Sequence, residues 1–155
     1  MIIPPLPAQL TDSYSALISR EVNWGDMDAA NHVNNTIYIR WSESARIAFW
    51  EAAELPMIPQ SGPVLSKVSA KYIFPVSFPD RVWMGTRMNS VDGEAFTFES
   101  LIVSERHQRV ACLVTSTGVM FDYLKQQKLP ILPNMQEAFS RAGQVFLGKP
   151  FPQAW

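Results

Sequence analysis

The chain has 155 residues, 47% of them hydrophobic and 17% charged, with a formal net charge of −1. That length suits one domain, residues 1–155, burying roughly two-thirds of its unfolded surface. Near-neutral charge with no Lys/Arg run speaks against a nucleic-acid or anionic-membrane partner. The single cysteine, Cys112, excludes an internal disulfide and a Cys-based zinc cluster, which fits a reducing cytoplasm.

Residues 1–12 read as a lead-in arm. The apolar start MIIPPLPAQL is interrupted by Pro4, Pro5 and Pro7, and the first basic residue is Arg20, unlike a secretory signal. No apolar run approaches the ~18 residues of a membrane span, so a soluble protein is expected. Alternation of Tyr14, Ala16 and Ile18 with Ser13, Ser15 and Ser19 predicts a first strand over residues 13–24. The stretch WGDMDAANHVNN, residues 24–35, then gathers two Asp, three Asn and one His.

After it, Ile37, Trp41, Ala45, Ala48 and Ala52 recur at three- and four-residue steps, with Arg40, Glu43 and Glu51 off the stripe. This is an amphipathic helix of roughly twenty residues, about 30 Å long. Asn34 is its natural N-cap, and Pro56 and Pro59 are its expected terminators.

Beyond Gly62-Pro63 the period changes to two. Val64, Val68, Ala70, Tyr72 and Phe74 form one predicted strand, Val82, Met84 and Met88 a second, and Phe96, Phe98 and Ile102 a third. Residues 110–121 are nearly all apolar or small, as in a central strand. Asp92-Gly93 signals a hairpin, and residues 104–108 read as another hairpin loop. Residues 133–142 predict a short helix with Pro133 early and Gly143 just after its end. Residues 144–155 are a tail without an assigned role. One long helix covers one face of such a sheet. The other face or an edge needs a cover, and 12% aromatic content with five Trp points to self-association.

The polar junction admits four readings. A helix cap accounts for one residue and leaves five polar groups over. An EF-hand start at Asp26-x-Asp28 fails, since the sixth position is Asn31 and the twelfth is Ile37, where Gly and a bidentate Glu are required. A serine or cysteine hydrolase lacks a G-x-S-x-G elbow, Cys112 sits mid-strand as a structural thiol, and His107 lies in a hairpin loop. A carboxylate acyl-transfer site uses all the groups: a helix N-terminus offers N–H donors to a developing oxyanion, beside an Asp able to attack a carbonyl or activate water.

Trp24-Gly25-Asp26-Met27-Asp28, His32-Val33-Asn34-Asn35, Tyr38, Trp41, Glu43 and Ala45-Arg46 resemble the 4-hydroxybenzoyl-CoA thioesterase-like branch of the hotdog-fold acyl-CoA thioesterases. The likeness runs over residues 15–142. It implies an α+β hotdog fold, a long central helix wrapped by a curved antiparallel sheet of about five strands. It also implies subunits joined through their sheets as homodimers or homotetramers, with active sites at the dimer interface.

Carried across, the resemblance makes Asp28 the catalytic carboxylate, as nucleophile or general base. The backbone N–H at Asn35 would polarise the thioester carbonyl, and Asp26, His32, Asn34 and Asn31 would line the pocket or shape the loop. Asn31 stands where the family usually has Gly; Asn tolerates positive φ better than other side chains. Glu43 is a rival carboxylate, because another hotdog branch places a catalytic Glu on the helix. The implied substrate is an acyl-CoA or acyl-carrier-protein thioester, with no cofactor and no metal. Lys67, Lys71, Arg81, Arg87 and Arg109 are eligible to hold the CoA phosphates. A non-catalytic acyl-binding or scaffolding domain is the contrasting reading, and a hotdog hydratase or dehydratase a third.

Overall fold

The computed structural model describes residues 7–10, 14, 16–55 and 59–145, with only the backbone of 16 and 140–145. Much of the expected arm, the expected terminator Pro56 and the tail from residue 146 lie outside the described residues. The elements are β1 (Ala16–Glu21), α1 (Asn35–Ala52), β2 (Ser61–Tyr72), β3 (Arg81–Asp92), β4 (Ala95–Ser104), β5 (Arg109–Asp122), β6 (Gln127–Leu129) and α2 (Pro133–Val145). The sheet is antiparallel in the order β1-β3-β4-β5-β2, and β6 pairs with the end of β5. A long helix packed on a curved antiparallel sheet is the architecture expected, with six strands in place of about five.

α1 begins as its sequence dictates. Asn34 stays extended (φ −60°, ψ 141°) and its side chain accepts from the Thr36 N–H at 3.0 Å, satisfying one of the donors a helix start leaves open. Its end differs from expectation. The helix stops at Ala52, ahead of both prolines, because Glu54 turns left-handed at φ 53°. The N–H of Leu55 then reaches back to Trp50 O and that of Glu54 to Glu51 O, a Schellman closure with Glu in the place Gly usually takes.

The buried face of α1 carries Tyr38, Trp41, Ala45, Ala48, Phe49 and Trp50. Tyr38, Trp41 and Ala45 pack on Val82, Met84, Ile102, Cys112 and Val114. Toward the helix C-terminus, Phe49 and Trp50 pack on Phe96, Phe98 and Met120, and α2 closes this end with Met135, Ala138 and Phe139. α2 continues through Gly143 to Val145, so Gly143 lies inside the helix and not after it. β1 is shorter than predicted, since residues 24–26 coil into a 3-10 turn.

Both hairpins fall where their turn residues place them. Gly93 (φ 51°) joins β3 to β4, and Gln108 (φ 51°) precedes β5. The outer sheet face is covered in part by the chain's own arm. Leu10 and Tyr14 bury against Leu17 and Val103. The Tyr14 hydroxyl donates to Glu99 at 2.9 Å, Glu99 accepts from Arg87 at 2.7 Å, and that guanidinium lies 4.9 Å over the Tyr14 ring. Burial, then the Glu99 carboxylate, raise the Tyr14 hydroxyl's pKa. Gly85 permits this approach: a Cβ there would stand 2.7 Å from the Cβ of Tyr14.

Cys112 is fully buried, and burial pushes its thiol up to about 12. The thiolate is the reactive form, and a pKa near 12 leaves about one thiol in 10⁴ ionised at pH 8. Native protein is therefore expected to react with a disulfide reagent at pH 8 at least a hundredfold more slowly than unfolded protein. The unfolding-limited rate of colour release checks this.

Candidate active site

The junction is a compact hairpin. Asp26 turns its carboxylate back on the loop, where Oδ2 accepts from the Asn23 N–H at 2.8 Å. Its carbonyl accepts from the Asn34 N–H at 2.9 Å, Met27 bridges Val33, and Asp28 N–H donates to His32 O at 2.9 Å. Asn31 N–H closes the turn on Asp28 O, with Asn31 at φ 58°. The side chain that replaces the customary Gly thus sits in the conformation Asn tolerates. Two anchors tie this hairpin to the segment before β3: Val33 N–H donates to Val76 O at 2.8 Å, and Ser77 donates to Asn31 O at 2.9 Å. Buried Tyr38 holds the same segment by accepting from the Val76 N–H at 3.2 Å, and burial raises its hydroxyl to about 12.

On this scaffold Asp28 is exposed, and its Oδ1 accepts from the Ala30 N–H at 2.9 Å. Its second carboxylate oxygen has no partner among the described residues. Asn35 is the first helical residue and is exposed; no acceptor meets its N–H among the described residues, while its carbonyl accepts from Tyr72 at 2.9 Å. His32 and Asn31 are exposed on the turn, and the Asn34 side chain is committed to the cap. The sheet and loop therefore bring Asp26, Asp28, Asn31, His32, Asn34 and Asn35 onto one short hairpin, with Asp26 and Asn34 occupied structurally.

The chain carries a cleft that sequence reasoning did not single out. Its volume is about 310 Å³, between the second half of α1 and the start of β2, with Glu43, Arg46, Ile47, Trp50 and Glu51 on one side and Pro63, Val64 and Leu65 on the other. Phe96, Phe98 and Gly118 supply the sheet part of the wall. Residues 43, 46, 47, 50 and 51 share one helix face by their three- and four-residue spacing, a signal legible as a second stripe beside the core stripe. Because β2 runs back along α1, Tyr72 meets the helix N-terminus while Val64 and Leu65 flank this cleft.

Gly118 sets how close Phe96 comes to β5. A Cβ at 118 would lie 2.4 Å from the Phe96 ring, and that ring is held by Phe98, Trp50 and Phe139. Gly118→Val is expected to cost about 1–3 kcal/mol through overpacking. Urea unfolding reads the effect.

Among the basic residues eligible for phosphate, Arg81 is paired with Glu21 and Arg87 with Glu99. Arg109 lies 4.4 Å over the Phe74 ring, which His107 also meets at 5.0 Å. Lys67 and Lys71 are exposed on β2. Among the described residues no three His, Cys, Asp or Glu side chains gather as a metal group, and no helix is long and apolar enough to cross a membrane.

A sheet folded round one long helix with a polar hairpin at its N-terminus is the hotdog arrangement, and the chain belongs to the thioesterase-like superfamily, whose family model matches residues 22–139. Among solved structures, it is similar to a thioesterase-superfamily protein from Jannaschia sp. CCS1 at 23% identity, covering 86% of this chain and 85% of that one with a TM-score of 0.75. A Thermus thermophilus thioesterase complexed with coenzyme A and Zn gives 18% identity, coverage of 85% and 97%, and 0.75. A DHNA-CoA thioesterase from Staphylococcus aureus gives 13% identity, 84% and 91%, and 0.75. At these identities the likeness carries the fold. No curated protein matches the chain.

Proposed function

We propose that the protein hydrolyses acyl-CoA thioesters, with Asp28 as nucleophile or general base and the Asn35 N–H as oxyanion donor. The observation that carries this reading is the open N–H at the start of α1 on the hairpin that presents Asp28, in a chain of the thioesterase-like superfamily. The N–H would polarise the carbonyl and stabilise its tetrahedral oxyanion. The Asp28 carboxylate would add to that carbon or take a proton from the attacking water, and the thiolate leaves with little need of a proton. Solvent oxygen recovered in Asp28 after single turnover in heavy-oxygen water would support the nucleophilic route.

Coenzyme A is favoured as the carrier because, among the described residues, Arg109, Lys67 and Lys71 remain outside ion pairs with carboxylates, whereas Arg81 and Arg87 are paired. The working unit in this reading is a homodimer, or a tetramer of two dimers, joined through the free edge of β2, and its setting is the cytoplasm. A scaffolding role finds support in the hydrogen bond that engages Asp28 Oδ1 within its own turn.

Free-thiol release from short, medium, long-chain and aromatic acyl-CoAs tests the reading. Turnover on at least one class is expected. Binding of acyl-CoA without thiol release on any member would move the assignment to the scaffolding role, and alkene formation or hydration without release to a hydratase.

A further inference from the structure

We infer that Arg46 is a specificity residue that receives a carboxylate at the far end of the acyl group, so that ω-carboxyacyl thioesters are preferred substrates. This rests on the thioesterase reading above and names its substrate class.

Arg46 stands in the wall of an otherwise largely apolar cleft. Its Nη1 donates to Ser42 at 3.1 Å and to Ser116 at 3.0 Å, both neutral hydroxyls, and among the described residues it forms no ion pair. A guanidinium has five N–H donors, and two hydroxyls leave most of them without an acceptor. None of these open donors is fully enclosed, since the buried unpartnered side-chain atoms are Trp50 Nε1 and Arg87 Nε; they reach the solvent of the cleft. Desolvation lowers the pKa of Arg46, and Glu43 offsets it only in part. An anion docked here would restore what burial removes, in the bidentate geometry that Arg and carboxylate share.

Glu43 and Glu51 stand exposed at the rim, where water screens them, and neither is within ion-pair distance of the guanidinium.

Length fits as well. Arg46 lies eleven residues along α1 from Asn35, about 16 Å at 1.5 Å per residue. Its side chain leans back toward the helix N-terminus, which leaves roughly 10 Å, the span of an acyl chain of about six to eight carbons. The volume of about 310 Å³ falls within the range of small-molecule sites, roughly 300–1,000 Å³, enough for an adipyl or suberyl group.

The test compares kcat/KM for suberyl-CoA with octanoyl-CoA, and adipyl-CoA with hexanoyl-CoA, in wild type, Arg46→Met and Arg46→Lys. The wild type is expected to favour the carboxylated member of each pair by about tenfold or more, Arg46→Met to bring the ratio to about one, and Arg46→Lys to keep part of it. A wild-type ratio of one or less overturns the inference. So does a ratio that Arg46→Met leaves intact, which would assign the guanidinium to bracing α1 on β5. Should the variants fail to fold, calorimetric binding of octanoate against octanamide to wild type decides, with tighter octanoate expected. The same titration decides if no acyl-CoA is turned over, an outcome that removes the hydrolase reading while equal binding of the two ligands removes this one.

Discussion

Asp28→Asn is expected to lower kcat for acyl-CoA hydrolysis by roughly 10²–10⁴-fold, the range associated with a lost acid–base group, while thermal stability stays within a few degrees. The second half follows from the local geometry. Asp28 Oδ1 accepts from the Ala30 N–H, and the hairpin is otherwise closed by backbone pairs between Asp28 and His32, Asn31 and Asp28, and Asn34 and Asp26. An amide oxygen still accepts the Ala30 bond, more weakly than a carboxylate, so the turn stands and chiefly the nucleophile or base is lost. Purified variant, assayed for thiol release and melted beside wild type, gives both numbers. A variant as fast as wild type would shift the chemistry to Glu43, one of the two carboxylates α1 presents at the cleft. A variant that is slow and also unfolds early would show that the charge serves the loop.

Much of this was readable in advance because it is local. The Asn34 cap, the α1 stripe, the Gly93 turn and the loop before β5 each depend on residues within a few positions, and each lies where the sequence placed it. The misses come from longer range. Glu54 ends α1 by a left-handed turn that carries no Gly signal. β6 is three residues long and exists because β5 runs past the end of β4 and needs a partner there. The arm's docking on Gly85 pairs residues that lie some seventy positions apart. The candidate site divides the same way. Its hairpin residues fall within ten positions of one another, whereas the cleft draws on α1, β2, β4 and β5, so Arg46, Trp50, Leu65 and Gly118 converge only once the sheet order exists. Asp26 and Asn34 prove to be occupied by hydrogen bonds that build the loop, which no spacing rule reveals.

On the dimer and hydrolase reading proposed above, replacing Val64 and Val68 together by Glu is expected to yield a 17.5 kDa monomer with most of the activity lost. β2 is a twelve-residue edge strand bonded on one side to β5. Its apolar side chains stay open in the single chain: Val64 36%, Leu65 44%, Val68 36% and Tyr72 43% exposed. Long apolar edges pair with another strand unless charge, proline or a bulge blunts them. Here the irregularity between Leu65 and Lys67 and the early Pro63 interrupt one end and Lys67 and Lys71 place charge on the rest, while the strand has no hydrogen-bonded neighbour on the side away from β5 among the described residues. Self-pairing about a two-fold axis, the commonest closed symmetry, would satisfy this edge and set the α1–β2 groove of one subunit beside the same groove of its partner. Added carboxylates along this edge would meet their symmetry mates across that axis, whereas in the isolated chain they stand in water at little cost. The monomer should therefore keep its strand content and melt cooperatively. Light scattering on the eluting peak gives the mass, and the thiol-release assay the activity. Wild type that elutes as a fully active monomer at micromolar concentration would refute the edge pairing, and a monomeric double variant with full turnover would place the entire site within one chain.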